Sequence, residues 1–181
     1  MFLFKYIKNP KYVGAVAPSS KFLANKMVDT IDFKKAKCII EYGSGTGVFT
    51  EKILSRIRED AIVVLIEIHK EFYDILVDLY GHKDNVIIVN DSAEYIDEIL
   101  NEHSIYKVDY IVSGLPFSSL PKEISNTILS KTKMLLNANT EFITFQYTLF
   151  KLGLFSEYFD NISYERVIIN LPPAYVLRCR G

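Results

Sequence analysis

Tryptophan is absent from this 181-residue chain, and cysteine occurs only twice, at Cys38 and Cys179. With no CxxC pair and no histidine-rich spacing, neither a disulfide framework nor a metal site is expected, and a reducing cytoplasm suits the composition. Cys38 lies in an apolar run and reads as a small buried hydrophobe. No apolar run reaches the roughly 18 residues of a membrane span, and the opening MFLF is too short and too poorly flanked for a signal peptide. Internal repeats and low-complexity stretches are missing, so a single domain over residues 1–181 is expected. The triphosphate-binding pattern GxxxxGK followed by Ser or Thr does not occur. His69, His82 and His103 are scattered near helix ends and loops, which leaves no Ser-His-Asp arrangement.

What is present fits a globular domain: 49% hydrophobic and 24% charged residues are enough for one well-filled core without wholesale disorder. The net charge of −1 hides an asymmetry. Residues 1–36 carry seven lysines against Asp29 and Asp32, a net +5, which leaves −6 for the rest. A basic end on an acidic body points to an anionic partner near the N-terminus, or to a solvated lysine-rich face.

Short apolar runs alternate with helical periodicity. Strands are expected at 36–43, 61–67, 85–90, 108–113 and 141–147. Helices are expected at 46–58, 70–80 and 93–102, and from Pro121 to Leu136, with Phe72, Ile75, Leu76 and Leu79 sharing one face. Five β-α repeats with continuously apolar strands predict a doubly wound α/β sheet. Residues 149–159 suit a short helix, and strands at 164–170 and 174–179 suit an antiparallel hairpin at the sheet edge. Before the sheet, Ser19 or Ser20 can cap a helix bearing Leu23, Ala24, Met27, Val28 and Ile31, and residues 1–35 are expected over the carboxyl edge of the sheet.

Ligands of open α/β sheets sit outside the carboxyl ends of the strands. The first such end is the turn Glu41-Tyr42-Gly43-Ser44-Gly45-Thr46-Gly47, where missing side chains let a ligand lie against the backbone. The second is Glu67, followed by Ile68, where a carboxylate can accept from both hydroxyls of a ribose or simply face water. The third is Asp91-Ser92, which can accept from an adenine amino group or cap the next helix. The fourth is Ser113-Gly114-Leu115-Pro116-Phe117, a fixed turn whose carbonyls can point into the cleft. Its Phe117 can offer a ring face to a substrate nitrogen, or pack as a core residue. A dinucleotide reading wants GxGxxG, but the third glycine falls one residue early, and that reading leaves Asp91 and the fourth end unexplained.

The blocks VGAVAPSS (13–20), EYGSGTGVFT, VDYIVSGLPF, EFITFQY and NLPPAYVLRCR resemble bacterial phospholipid N-methyltransferases, a group similar in turn to the rRNA adenine dimethyltransferases. The resemblance covers nearly the whole chain. It implies a seven-stranded class I methyltransferase fold with S-adenosyl-L-methionine (SAM) across the strand ends. It also implies a cofactor set of Ser19, Glu41, Gly43, Gly45, Gly47, Glu67, Ile68, Asp91, Ser92 and Ser113, with Pro18-Ser19-Ser20 closing over the cofactor. It further implies that the N-terminal segment touches membrane at its inner face, and that the acceptor is the amine of a phospholipid such as phosphatidylethanolamine.

Catalysis by positioning then falls to Leu115 and Phe117, with Tyr147 or Tyr175 assisting by hydrogen bonding. Nucleic acid is the alternative acceptor. Adenine N6-methyltransferases, which this chain also resembles, carry Asn or Asp in N-L-P-Y or N-P-P-Y, whereas Gly114 supplies no side-chain acceptor. Small soluble amines and a SAM-binding role without catalysis are the remaining readings. Phe2, Leu3, Phe4, Tyr6 and Ile7 among Lys5, Lys8 and Lys11 suit an anionic bilayer surface, or a hydrophobic arm folded onto the domain.

Overall fold

The computed structural model describes residues 21–137 and 140–180, so Pro18-Ser19-Ser20 and the first 20 residues of the expected lid or membrane-facing segment 1–35 lie outside it. Helix α1 (Lys21–Met27) leads into β1 (Cys38–Tyr42), α2 (Val48–Leu54), β2 (Ile62–Ile66), α3 (Lys70–Tyr80) and β3 (Val86–Val89). A 3₁₀ turn, Ala93–Tyr95, opens into α4 (Ile96–Glu102), followed by β4 (Tyr110–Ser113), α5 (Lys122–Leu135) and β5 (Glu141–Gln146). The chain closes with α6 (Leu152–Ser156), β6 (Asn161–Val167) and β7 (Ala174–Arg180).

The seven strands form one sheet in the order β3-β2-β1-β4-β5-β7-β6. The first five run parallel. β7 then enters antiparallel between β5 and β6, so the expected C-terminal hairpin is present with its second strand on the inside.

Strand side chains alternate between faces, and both faces are covered. Cys38, Ile40 and Tyr42 of β1 join Ile99 of α4, Leu129 of α5 and Phe155 of α6 in one core. Ile39, on the opposite face, joins Leu23 and Met27 of α1, Ile53 of α2 and Leu76 of α3 in the other. Burial raises the Cys38 and Cys179 thiols to about 12, which keeps both as inert packing groups.

Four expectations need correcting. Helix α1 packs on the face of the sheet beside β5, β6 and β7 rather than over its carboxyl edge, because its apolar stripe has a sheet face to fill. On α3 only Leu76 is buried. Ile75 and Leu79 are 41% and 48% exposed, because α3 lies near the outer edge of the sheet. Edge strand β3 is half-buried for the same reason. β6 is shifted towards the N-terminus of the expected 164–170: its ladder with β7 runs from Asn161↔Arg180 to Val167↔Ala174, so residues 168–170 pass beyond the last pairing partner.

Candidate active site

Where β1, β2, β4 and β5 end, the chain opens a groove of about 600 Å³, within the range of small-molecule sites. Its floor is the turn after β1. Gly43, Gly45 and Gly47 all have positive φ (64°, 54° and 81°), which favours glycine. Gly43 and Gly45 line the groove, and nothing lies within 4 Å of the position a Cβ would take at Gly45. Gly47 does not line it. Its left-handed backbone starts α2, and a Cβ there would lie 3.3 Å from Leu76 Cδ2 and Tyr80 Cε2, so this glycine serves the packing of α2 against α3.

Glu67 is 4% exposed at the end of β2 and lines the groove. Its Oε2 accepts the Gly45 N–H and its Oε1 the His69 N–H, both at 2.8 Å. This carboxylate therefore does not face bulk water; it holds two loops together and keeps lone pairs for a ligand. Ile68 beside it is 60% exposed and also lines the groove. At the end of β3, Asp91 is exposed on the groove, and its Oδ1 accepts the Ser92 N–H at 2.7 Å. Capping falls to Ser92, whose hydroxyl accepts the Glu94 N–H.

The turn after β4 departs most from expectation. Leu115 and Pro116 line the groove, but Phe117 is 0% exposed. Its ring packs edge-on against Phe142 and Phe155, at 6.3 and 5.4 Å between centroids. The cause is the tightness of the turn: Phe117 N–H donates to the Leu115 carbonyl, and the Pro116 carbonyl accepts from Ser119 and Leu120, so the chain folds back over the core. The Pro116 carbonyl is thus spent inside the turn, and the Leu115 carbonyl gives it one of its two lone pairs. Ser113 is also buried and off the groove, its hydroxyl accepting the Leu115 N–H at 3.2 Å. Gly114 marks the closest approach of two turns, since a Cβ there would lie 2.6 Å from the Gly43 carbonyl oxygen.

Glu41 lies beneath the floor at 0% exposure and does not line the groove. Thr50 Oγ1 donates to its Oε2 at 2.7 Å, and its Oε1 has no partner among the described residues. Burial pushes this carboxyl up from 4.5 to about 8, against the lowering effect of the Thr50 bond and with a further push from Glu67. The folded chain therefore holds a proton that the unfolded chain releases between those two values, and stability falls as pH rises through that window. Glu41→Gln keeps the shape and removes the titration. Urea midpoints measured near pH 5 and near pH 8 should fall with pH in the parent chain and stay closer together in the variant; equal slopes would contradict this.

Sequence reasoning missed several lining residues. Phe72 of α3, which helical spacing puts on one face with Ile75, Leu76 and Leu79, lines the groove beside His69, ring to ring at 6.2 Å. Phe145, also missed, forms the opposite wall with Tyr147, which the sequence had offered as an assisting hydroxyl; their centroids are 5.5 Å apart. Burial raises the Tyr147 hydroxyl above its ordinary range, so it stays a neutral donor. The Ser44 hydroxyl, buried without a partner among the described residues, also lines the groove. A bare glycine backbone, an orphan hydroxyl and two strand-end carboxylates fit a nucleoside joined to an amino-acid moiety. No group of three or more His, Cys, Asp or Glu that could hold a metal occurs among the described residues.

Strand order, reversed β7 and a groove at the carboxyl edge define a class I methyltransferase. A candidate RNA methyltransferase from Pyrococcus horikoshii has this fold, with a TM-score of 0.66 at 16% identity over 96% of this chain and 91% of that one. Residues 18–148 match the family model described as ribosomal RNA adenine dimethylase. The chain belongs to that family and is an enzyme that takes its methyl group from S-adenosyl-L-methionine. An ornithine lipid N-methyltransferase from Singulisphaera acidiphila is 30% identical over 183 residues, covering 100% of this chain and 95% of that protein. A ribosomal RNA small subunit methyltransferase A from Mycoplasma capricolum is 33% identical over 127 residues, but this chain spans only 44% of its length. The expected kinship with both groups is borne out.

Proposed function

We propose that this enzyme methylates the amine of a membrane-lipid headgroup, such as that of phosphatidylethanolamine, and that residues 1–181 act as one methyltransferase domain. The observation that carries the reading is Gly114. The adenine N6-methyltransferases that this chain resembles carry Asn or Asp there, whereas Gly114 supplies no side-chain acceptor and a Cβ on it would lie 2.6 Å from the Gly43 carbonyl oxygen. Similarity to an ornithine lipid N-methyltransferase along the full chain supports it. The family model and the rRNA-directed relatives favour the alternative, adenine in RNA, over a shorter stretch.

SAM supplies an already activated methyl group when bound, so the chain's task is binding, alignment and exclusion of water. Glu67 would accept from the ribose hydroxyls of bound SAM, Asp91 with Ser92 would receive the adenine edge, and the backbone of Gly43 and Gly45 would take the methionine part. Leu115, Phe145 and Tyr147 form the wall facing the acceptor amine. That wall is largely apolar, which disfavours the ammonium form and helps the amine enter neutral.

The rate on phosphatidylethanolamine in mixed micelles should therefore climb between roughly pH 7 and 9, as the ammonium loses its proton. An adenine amine has no such proton to lose. Methylation of rRNA with none of lipid would overturn the proposal.

A further inference from the structure

The β6–β7 connection carries three aliphatic side chains, Ile168, Ile169 and Leu171, exposed by 71%, 67% and 88%. Strand register fixes where they stand. Gln146 at the end of β5 pairs with Tyr175, and Val167 pairs with Ala174, so the connection crosses the same edge of the sheet as the groove. Phe150, 95% exposed just after β5, is at this edge as well. Phe22, 57% exposed at the start of α1, shares a shallow hollow with Ile168 and Ile169.

Aliphatic groups concentrated this way at a loop tip mark a surface that something apolar covers. Lys21, Lys151 and Arg166 are all exposed around them, and the carboxylates at this place, Asp29 in the same hollow and Glu165 near the end of β6, are both paired with Lys26 and Arg178.

We propose that the β6–β7 tip is a bilayer-docking element. Ile168, Ile169 and Leu171 enter the apolar layer of an anionic membrane, while Lys21, Lys151 and Arg166 stay at headgroup level and bring the groove to the headgroups. The inference rests on the lipid-amine reading and supplies the surface that reading needs. RNA is the poorer occupant of the tip itself: Phe22, Phe150 and the three cations flank it, but Ile168, Ile169 and Leu171 offer neither a stacking face nor a phosphate donor.

The absence of tryptophan makes a direct test available. Ile169→Trp places a single reporter at the tip of the full chain. On vesicles of phosphatidylethanolamine and phosphatidylglycerol its emission should move to the blue and be quenched by brominated acyl chains. The double substitution Ile168→Asp, Leu171→Asp should reduce sedimentation with the same vesicles at least about tenfold, with SAM affinity unchanged. Emission indifferent to vesicles, emission that responds to rRNA alone, or sedimentation unaffected by the aspartates would each overturn the docking element. Methyl transfer to a short-chain aminolipid dispersed in detergent tests the underlying reading separately. It should proceed in the parent chain, and its absence there would overturn the lipid-amine assignment whatever the vesicles show.

Discussion

Glu67→Ala should weaken SAM binding about 100-fold by titration calorimetry, with Glu67→Gln falling between Glu67→Ala and the parent. The expectation comes from what the carboxylate does in the structure. Its two oxygens hold the N–H groups of Gly45 and His69 at 2.8 Å, tying the glycine turn to the loop after β2. Removing it leaves two N–H groups unpartnered at a site only 4% exposed and removes the acceptor assigned to the ribose. Each hydrogen bond to a charged group contributes about 1.5–3 kcal/mol, and about 2.7 kcal/mol corresponds to the 100-fold loss. Glutamine keeps one acceptor oxygen but turns an NH₂ towards a backbone donor, hence the intermediate value. Unchanged affinity in Glu67→Ala would remove this residue from the cofactor site.

Phe117→Ala should destabilise the fold by about 3–5 kcal/mol, read as a lower urea midpoint with an unchanged slope. The ring is 0% exposed and wedged between Phe142 and Phe155, so its removal opens a cavity in one of the two cores. Phe117→Leu should recover much of the loss, since it refills most of that volume. Turnover per folded molecule should change less than stability. An unchanged midpoint combined with lost turnover would return the ring to the cleft.

Phe117 also shows where the sequence stops being legible. Ser113–Phe117 is recognisable as a strand-end turn, and Leu115 does reach the groove. Which of the two apolar side chains faces in depends on the hydrogen bond from Phe117 N–H to the Leu115 carbonyl, a local reversal with no periodicity to announce it. The strand-end acids were legible because a parallel sheet places every strand terminus on one edge. The depth of Glu41 was not, because burial of an acid depends on Thr50 and α2 lying above it. Gly47 looked like part of the cradle through its spacing alone, yet it packs against α3. Helical spacing puts Phe72 on one face with Leu76, but only its place in the first turn of α3, where the helix starts beside the groove, brings its ring to the groove lining. The run after Val167 looked like a strand by its β-branched residues, but a strand also needs a partner, and β7 begins too late to supply one.

On the proposed function, the methyl group of SAM ends on a lipid amine. Incubating the full chain with methyl-labelled SAM and with separate lipid and RNA extracts tests it most directly. Label in the lipid fraction, on amine headgroups, is the predicted result; label confined to the RNA fraction would contradict it.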